Sequence, residues 1–232
     1  ANPQTAAALK PWYRAGCKRP LSSEDYYAVF NQPNVALIDV SDTRGVERIT
    51  DKGFIAHGVE HAVDCLIFAS GFEVTSDLER RWGIDVVAGR DGRSIYEHWR
   101  HGPKTLHGTM THGFPNQFYI GYIQGGLNAS VTEQFGKQAQ HIAYVIGEAI
   151  KRGITIVEPT QAAQDAYVRH FEHVGIDTSE FQRECTPSYY DNEGQAKAPW
   201  ALLRQYGPGW EAFMKLLQEW REKGDMAGLD LR

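Results

Sequence analysis

Residues 63–72 read VDCLIFASGF. The run from Val63 to Ala69 is almost wholly apolar and stops at Ser70-Gly71-Phe72, which predicts a short buried strand ending in a corner of small residues. A corner kept that small lets something approach its backbone closely. What that something is decides how the rest of the chain is read.

On the N-terminal side, residues 1–20 are irregular, with Pro3, Pro11 and Pro20 and the basic cluster Cys17-Lys18-Arg19. Ser22 or Ser23 caps a short helix whose Tyr26, Tyr27 and Phe30 form one apolar face, and Pro33 forbids its continuation. NVALIDV, residues 34–40, predicts a second strand. Gly45, Gly53 and Gly58 divide ERIT, FIA and EHAV into a small antiparallel meander that leads into the opening stretch.

On the C-terminal side the pattern predicts a helix near 76–82, a strand over IDVVA (84–88), a turn at Arg90-Asp91-Gly92 and a short helix through Trp99. A strand at 117–120 then runs into a glycine corner. Ser130 and Glu133 have the capping-box spacing, and apolar positions after them recur at helical period to Ile150, closed by Lys151, Arg152 and Gly153. Further helices are predicted at 161–173, 178–184 and 210–223.

The 232 residues suffice for one sizeable core or two modest ones, and a composition of 42% hydrophobic and 23% charged residues is that of globular protein. A net charge of -5 with no concentrated basic face argues against nucleic acid or an anionic membrane as partner. No apolar run approaches the roughly 20 residues that span a bilayer. Three widely spaced cysteines make no disulfide framework and fit a reducing compartment, and no signal peptide opens the chain, so a cytoplasmic location is expected. The chain starts at Ala1 in a segment without periodicity and reads as part of something longer.

Several residue clusters invite a chemical reading. His57 and His61 fit the H-x-x-E-H pattern of a zinc site, but residues four apart on a strand lie about 13 Å apart, so no metal site is expected. Asn128-Ala129-Ser130 is a glycosylation sequon by pattern alone. Lys18-Arg19, stiffened between Gly16 and Pro20, suits a phosphate or a developing oxyanion, or else is a solvated basic pair. The loop 189–194, with Tyr189 and Tyr190, is either a ligand-closing loop or a surface turn.

Taken in order, these segments resemble the flavin-dependent Baeyer–Villiger monooxygenases, within the class B flavoprotein monooxygenases. GCKRPLSSEDYYAVFNQPNVALIDV (16–40) resembles the stretch that re-enters the family's NADPH domain. DCLIFASGF resembles its D-x-L-I-x-A-T-G-F segment, with Ser70 where Thr is commoner. HGFPNQFYIGYIQGGLN (112–128) resembles its G-F-P-N strand and flavin-side loop, and CTPSYYDNEG (185–194) a loop of one branch. AGLDL near the end is also in character.

The resemblance implies an α/β fold: the C-terminal portion of a flavoprotein with two dinucleotide-binding, Rossmann-like domains for FAD and NADP, followed by a helical region. Residues 1–20 would end a helical insertion, 21–63 would return to the NADPH domain, and 64–232 would return to the FAD domain and add the C-terminal helices. The implied activity is the FAD- and NADPH-dependent insertion of one oxygen atom from O2 beside a ketone carbonyl, through a C4a-peroxyflavin, giving an ester or lactone. Arg19 matches the family's active-site arginine, and Lys18 the lysine that favours NADPH through its 2′-phosphate. Ser70, Gly71 and Phe72 would lie at the cofactor corner, Gln124 and Asn128 would face the isoalloxazine, and Tyr189 falls near a nicotinamide-contacting position. No metal is implied.

The family's glycine-rich phosphate loops for FAD and NADPH and its long fingerprint have no counterpart in this sequence. The expected partners are therefore the missing N-terminal half, a ketone and O2. Two alternatives stand beside this reading: an N- or S-oxygenating relative, against which Arg19 in its Cys-Lys-Arg-Pro setting argues, and a non-catalytic binding module.

Overall fold

The computed structural model describes residues 2–71, 78–185, 190 and 204–232. The chain divides into two compact units, Ala1–Phe72 and Glu73–Arg232.

Unit 1 contains helices α1 (Pro3–Ala8) and α2 (Tyr26–Val29) and strands β1 (Arg48–Thr50), β2 (Gly53–Ala56) and β3 (Val59–Ala62). The strands form the antiparallel meander that the glycine spacing predicts, in the order β1-β2-β3, with Ile49 opposite Phe54 and Ile55 opposite Glu60. His57 sits in the β2–β3 turn, and its Nε2 lies 2.7 Å from the Asp39 carbonyl. His61 stacks on Phe54. Cys17 is buried, and Cys65 is free and exposed.

The two stretches predicted as buried strands differ from that expectation. Among the described residues neither 35–40 nor 63–71 forms a strand, and Ile67 and Phe68 are 84% and 72% exposed. An apolar strand buried on both faces needs neighbours in its sheet and layers above and below it, and unit 1 provides neither. Gly71 takes φ +91°, where a side chain is strained, yet a Cβ there would meet nothing within 4 Å. Among the described residues the smallness of Gly71 thus answers to backbone conformation, with no neighbour crowding it.

Unit 2 contains α3 (Leu78–Trp82), α4 (Ile95–His98), α5 (Val131–Lys151), β4 (Val157–Pro159), α6 (Gln161–Val174), β5 (Ile176–Asp177), α7 (Ser179–Glu184), β6 (Arg204–Gln205), α8 (Trp210–Lys223) and β7 (Leu229–Leu231). β4 pairs antiparallel with β7, and β5 with β6. The helix signals hold: Ser130 and Thr160 cap α5 and α6 through their side chains, and Gly224 in the left-handed region ends α8. The strands predicted at 84–88 and 117–120 do not form; Ala88 makes only an isolated bridge to Ser94. All strand pairings among the described residues are antiparallel.

Two apolar clusters organise unit 2. One gathers Val145 of α5, Tyr167 and Phe171 of α6, Phe213 and Leu217 of α8, and Met226. The other gathers Ile95, Trp99, Phe114, Tyr119 and Ile123, with Trp82 stacked on Tyr119. No described helix is long and apolar enough to cross a membrane.

Candidate functional site: a buried loop held by buried amides

The irregular segment 104–128 contributes Leu106 and Met110 to the first cluster and Phe114, Tyr119 and Ile123 to the second. It is therefore sandwiched in the interior, where loops seldom run, because every buried backbone N–H and C=O must find a partner. Buried polar side chains meet that demand.

Helix α5 supplies the first set. Its buried stripe is Gln134, Gln138, His141, Val145 and Ala149, whereas Ile146 and Ile150 are exposed. The helix thus turns amides toward the loop in its first half and apolar groups toward the core in its second, which corrects the expectation of an apolar face running to Ile150. Gln138 grips Gly121 at both backbone groups: the Gly121 N–H donates to Oε1 at 3.0 Å, and Nε2 donates to the Gly121 carbonyl at 2.8 Å. One turn earlier, Gln134 Oε1 accepts from the Asn128 N–H at 2.9 Å. Asn128 Oδ1 in turn accepts from the Ser130 N–H at 2.7 Å, joining the loop to the α5 cap.

Between these clamps the chain forms an arch. Gln124 has φ +42°, and its Oε1 accepts from both the N–H and the hydroxyl of Thr105, at 2.8 and 2.7 Å. The Tyr167 hydroxyl donates to the Gln124 carbonyl. Gly126 lies so close to Phe213 that a Cβ would come within 2.8 Å of the ring's own Cβ, so no larger residue fits there.

The other end of the segment is fixed from β4 and α6. Glu158, 2% exposed, accepts from the Gly113 N–H at 2.7 Å and pairs with Arg90 and Arg232. Gln164 Oε1 accepts from the His112 N–H and the Thr111 hydroxyl. Asn116, at φ +58°, borrows a strand's role: its own N–H donates to the Val157 carbonyl, and its side chain bonds the Val157 N–H and the Thr155 carbonyl.

Beneath the arch, His107 Nδ1 and His141 Nε2 lie 3.3 Å apart, packed by Trp220 and Tyr167, with Arg221 Nη1 3.4 Å from His141 Nδ1. Burial, with the charge of Arg221 beside them, pushes His107 down to about 3 and His141 to about 4, so both rings are neutral at pH 7.

Of the residues singled out from sequence, Lys18, Arg19, Ser70 and Gly71 lie in unit 1, and Gln124 and Asn128 lie together on the pinned arch of unit 2. Lys18 is half-buried and Arg19 exposed, beside the buried Cys17. Phe72 and Tyr189, with most of the loop 185–194, fall outside the described residues. Gln134, Gln138, Gln164, Glu158, His107 and His141 were not legible as site residues. The signal that could have found the α5 set is phase: positions 134, 138, 141, 145 and 149 follow helical spacing on one face.

The site's donors suit a flavin. Gln124 uses its carbonyl oxygen on Thr105 and Asn128 uses its own on Ser130, which leaves Gln124 Nε2 and Asn128 Nδ2, both on half-buried residues, without an acceptor among the described residues. Two amide donors on one rigid arch match a ring edge rich in carbonyl oxygens and ring nitrogens. No cluster of metal-ligating side chains is present among the described residues.

No family model matches the chain. It is 41% identical over 228 residues to an FAD-binding monooxygenase of Hypomyces subiculosus, covering 98% of this chain and 38% of that protein. It is 39% identical over 224 residues to a Baeyer-Villiger monooxygenase of Streptomyces coelicolor, covering 96% of this chain and 36% of that one. Among solved structures, the polycyclic ketone monooxygenase of the thermophilic fungus Thermothelomyces thermophila superposes on all of this chain and 37% of its own, with a TM-score of 0.81 and 33% identity. The chain is thus homologous to part of an FAD-binding monooxygenase. Relatives named as Baeyer–Villiger monooxygenases are among those it matches, and it spans about two-fifths of the length of the proteins it resembles.

Proposed function

We propose that this chain supplies the C-terminal part of an FAD- and NADPH-dependent Baeyer–Villiger monooxygenase, with the complementary three-fifths of the enzyme as its partner. The net reaction is ketone, O2, NADPH and a proton going to ester or lactone, NADP+ and water. The observation that carries the reading is the pinned arch 121–128, with two amide donors without an acceptor among the described residues, on a loop whose sequence resembles the family's flavin side. In the complete α/β enzyme, residues 1–20 end a helical insertion, 21–63 return to the NADPH domain, and 64–232 complete the FAD domain and add the C-terminal helices. The stretches 34–40 and 63–69 then take ladder partners, and cover for their exposed apolar side chains, from the complementary part.

When bound, FAD supplies the activation of oxygen. The chain's own groups position and bias that chemistry. Gln124 Nε2 and Asn128 Nδ2 donate to the flavin ring, and the dipole of the 21-residue helix α5 favours negative charge at the ring's electron-rich edge. Arg19 is the catalytic residue: its permanent positive charge holds negative charge on oxygen beside the ketone carbonyl. Lys18 meets the NADPH 2′-phosphate. Ser70 and Gly71 belong to the cofactor corner, where bulk at either position would meet the cofactor.

The test is assembly of the chain with the complementary part of a relative, followed by visible absorption and product analysis. A yellow complex that turns a ketone into an ester is the expected result. In it Arg19→Ala should retain flavin and lower ester formation by about 10²–10³-fold. A complex that binds no flavin, or an Arg19→Ala variant of full activity, overturns the reading.

A further inference from the structure

Donors that act on a reacting group must be held to within a fraction of an ångström, and a loop in irregular conformation cannot hold them by itself. The arch 121–128 carries Gln124 and Asn128, yet neither end belongs to a strand or a helix. Its stillness has to come from whatever binds its backbone.

Resting on the function just proposed, we infer that Gln138, assisted by Gln134, is a positioning residue for oxygen insertion: its carboxamide fixes both polar backbone groups of Gly121 and thereby sets where Gln124 and Asn128 present their amides. Gln138 is 1% exposed, and both its polar atoms are committed to Gly121, at 3.0 and 2.8 Å. Gln134 is equally buried and holds the Asn128 N–H at 2.9 Å. The two lie one turn apart, about 6 Å along the helix, so one rigid element grips both ends of the arch. The helix is itself anchored where Val145 and Ala149 enter the main core.

The chemistry at position 138 is restrictive. An aliphatic side chain would leave the N–H and the C=O of half-buried Gly121 without their partners in α5. Asparagine is one methylene too short, and a glutamate carboxylate accepts from the N–H but repels the carbonyl. Only glutamine pairs with both groups from that depth.

The test uses the chain assembled with its complementary part and compares wild type with Gln138→Met, which keeps length and volume and removes both hydrogen bonds. The expected results, per bound flavin, are a shifted visible band, a several-fold larger share of NADPH consumption ending as free hydrogen peroxide instead of ester, and about tenfold faster exchange of the Gly121 amide. Gln134→Met should move the same readouts less. Faster exchange at Gly121 with an unchanged band and unchanged coupling would mean a purely structural role and overturn the inference. If Gln138→Met does not assemble, Gln138→Glu keeps the acceptor for the Gly121 N–H, and normal coupling in that variant overturns the inference equally. A wild-type complex without flavin overturns the proposed function itself, whereas a yellow, ester-forming wild type beside an unaffected Gln138→Met sinks only the role given to Gln138.

Discussion

Units 1 and 2 solve the burial problem differently. Unit 2 closes two apolar clusters and then buries a loop between them, supplying amides and a carboxylate for its backbone. Unit 1 buries the side chains of Cys17 and Ala56 and leaves Trp12, Leu21, Tyr27, Ile67 and Phe68 open. The contrast teaches that the two carry different kinds of information: unit 2 encodes its own interior, while unit 1 leaves much of its apolar surface exposed.

Acid should expose the contrast most. His107 and His141 are neutral in the fold, with pKa values near 3 and 4 against about 6.5 when unfolded, so the unfolded state takes up protons first. Their contribution to stability is complete above pH 6.5 and is lost as pH falls toward 4 and below. Each unit of depression corresponds to about 1.4 kcal/mol. Denaturant midpoints for unit 2, followed by circular dichroism from pH 7.5 to 4, should fall steeply, and a flat profile would break the assignment of a dry, neutral pair.

Next in size is the core itself. Phe213→Ala removes a fully buried ring that packs on Gly126 and Tyr206 and should cost about 3–5 kcal/mol in urea unfolding. A loss under about 1 kcal/mol would mean that unit 2 has no better interior than unit 1. Glu158→Ala should cost about 2 kcal/mol, chiefly through the Gly113 N–H left without its acceptor, since Arg90 and Arg232 are half-exposed and can turn to water. Faster exchange of the Gly113 amide would locate the damage.

The smallest effect sharpens the comparison from the other side. Ile67→Ser with Phe68→Ser should change the stability of the chain by itself by no more than about 0.5 kcal/mol, because both side chains are already in water. Titration calorimetry against the complementary part should nevertheless show association at least severalfold weaker. Equal association would remove the 63–69 stretch from the interface.

Helix limits were readable because their signals are local. Ser130 with Glu133, Thr160 before Gln161, and the glycine after Lys223 each act within one turn, and the structure places α5, α6 and α8 where those residues put them. The meander was readable for the same reason. Strands 34–40, 63–69, 84–88 and 117–120 were apolar enough to predict, but a strand exists only when a second strand lies beside it, and the described chain does not bring one. The polar stripe of α5 was hidden because glutamine at 134 and 138 counts as surface in any hydropathy pattern; its burial follows from a loop six to seventeen residues distant that needs hydrogen bonds.

By itself the sequence determined the helices, the turn chemistry and the ordered motifs that tie the chain to its monooxygenase relatives, since these depend on residue type and short spacing. Only tertiary structure decided which apolar residues find cover, which glutamines become interior ligands of a loop, and where two histidines stay neutral. Those outcomes depend on what lies across from a residue, and proximity of that kind is a property of the folded chain.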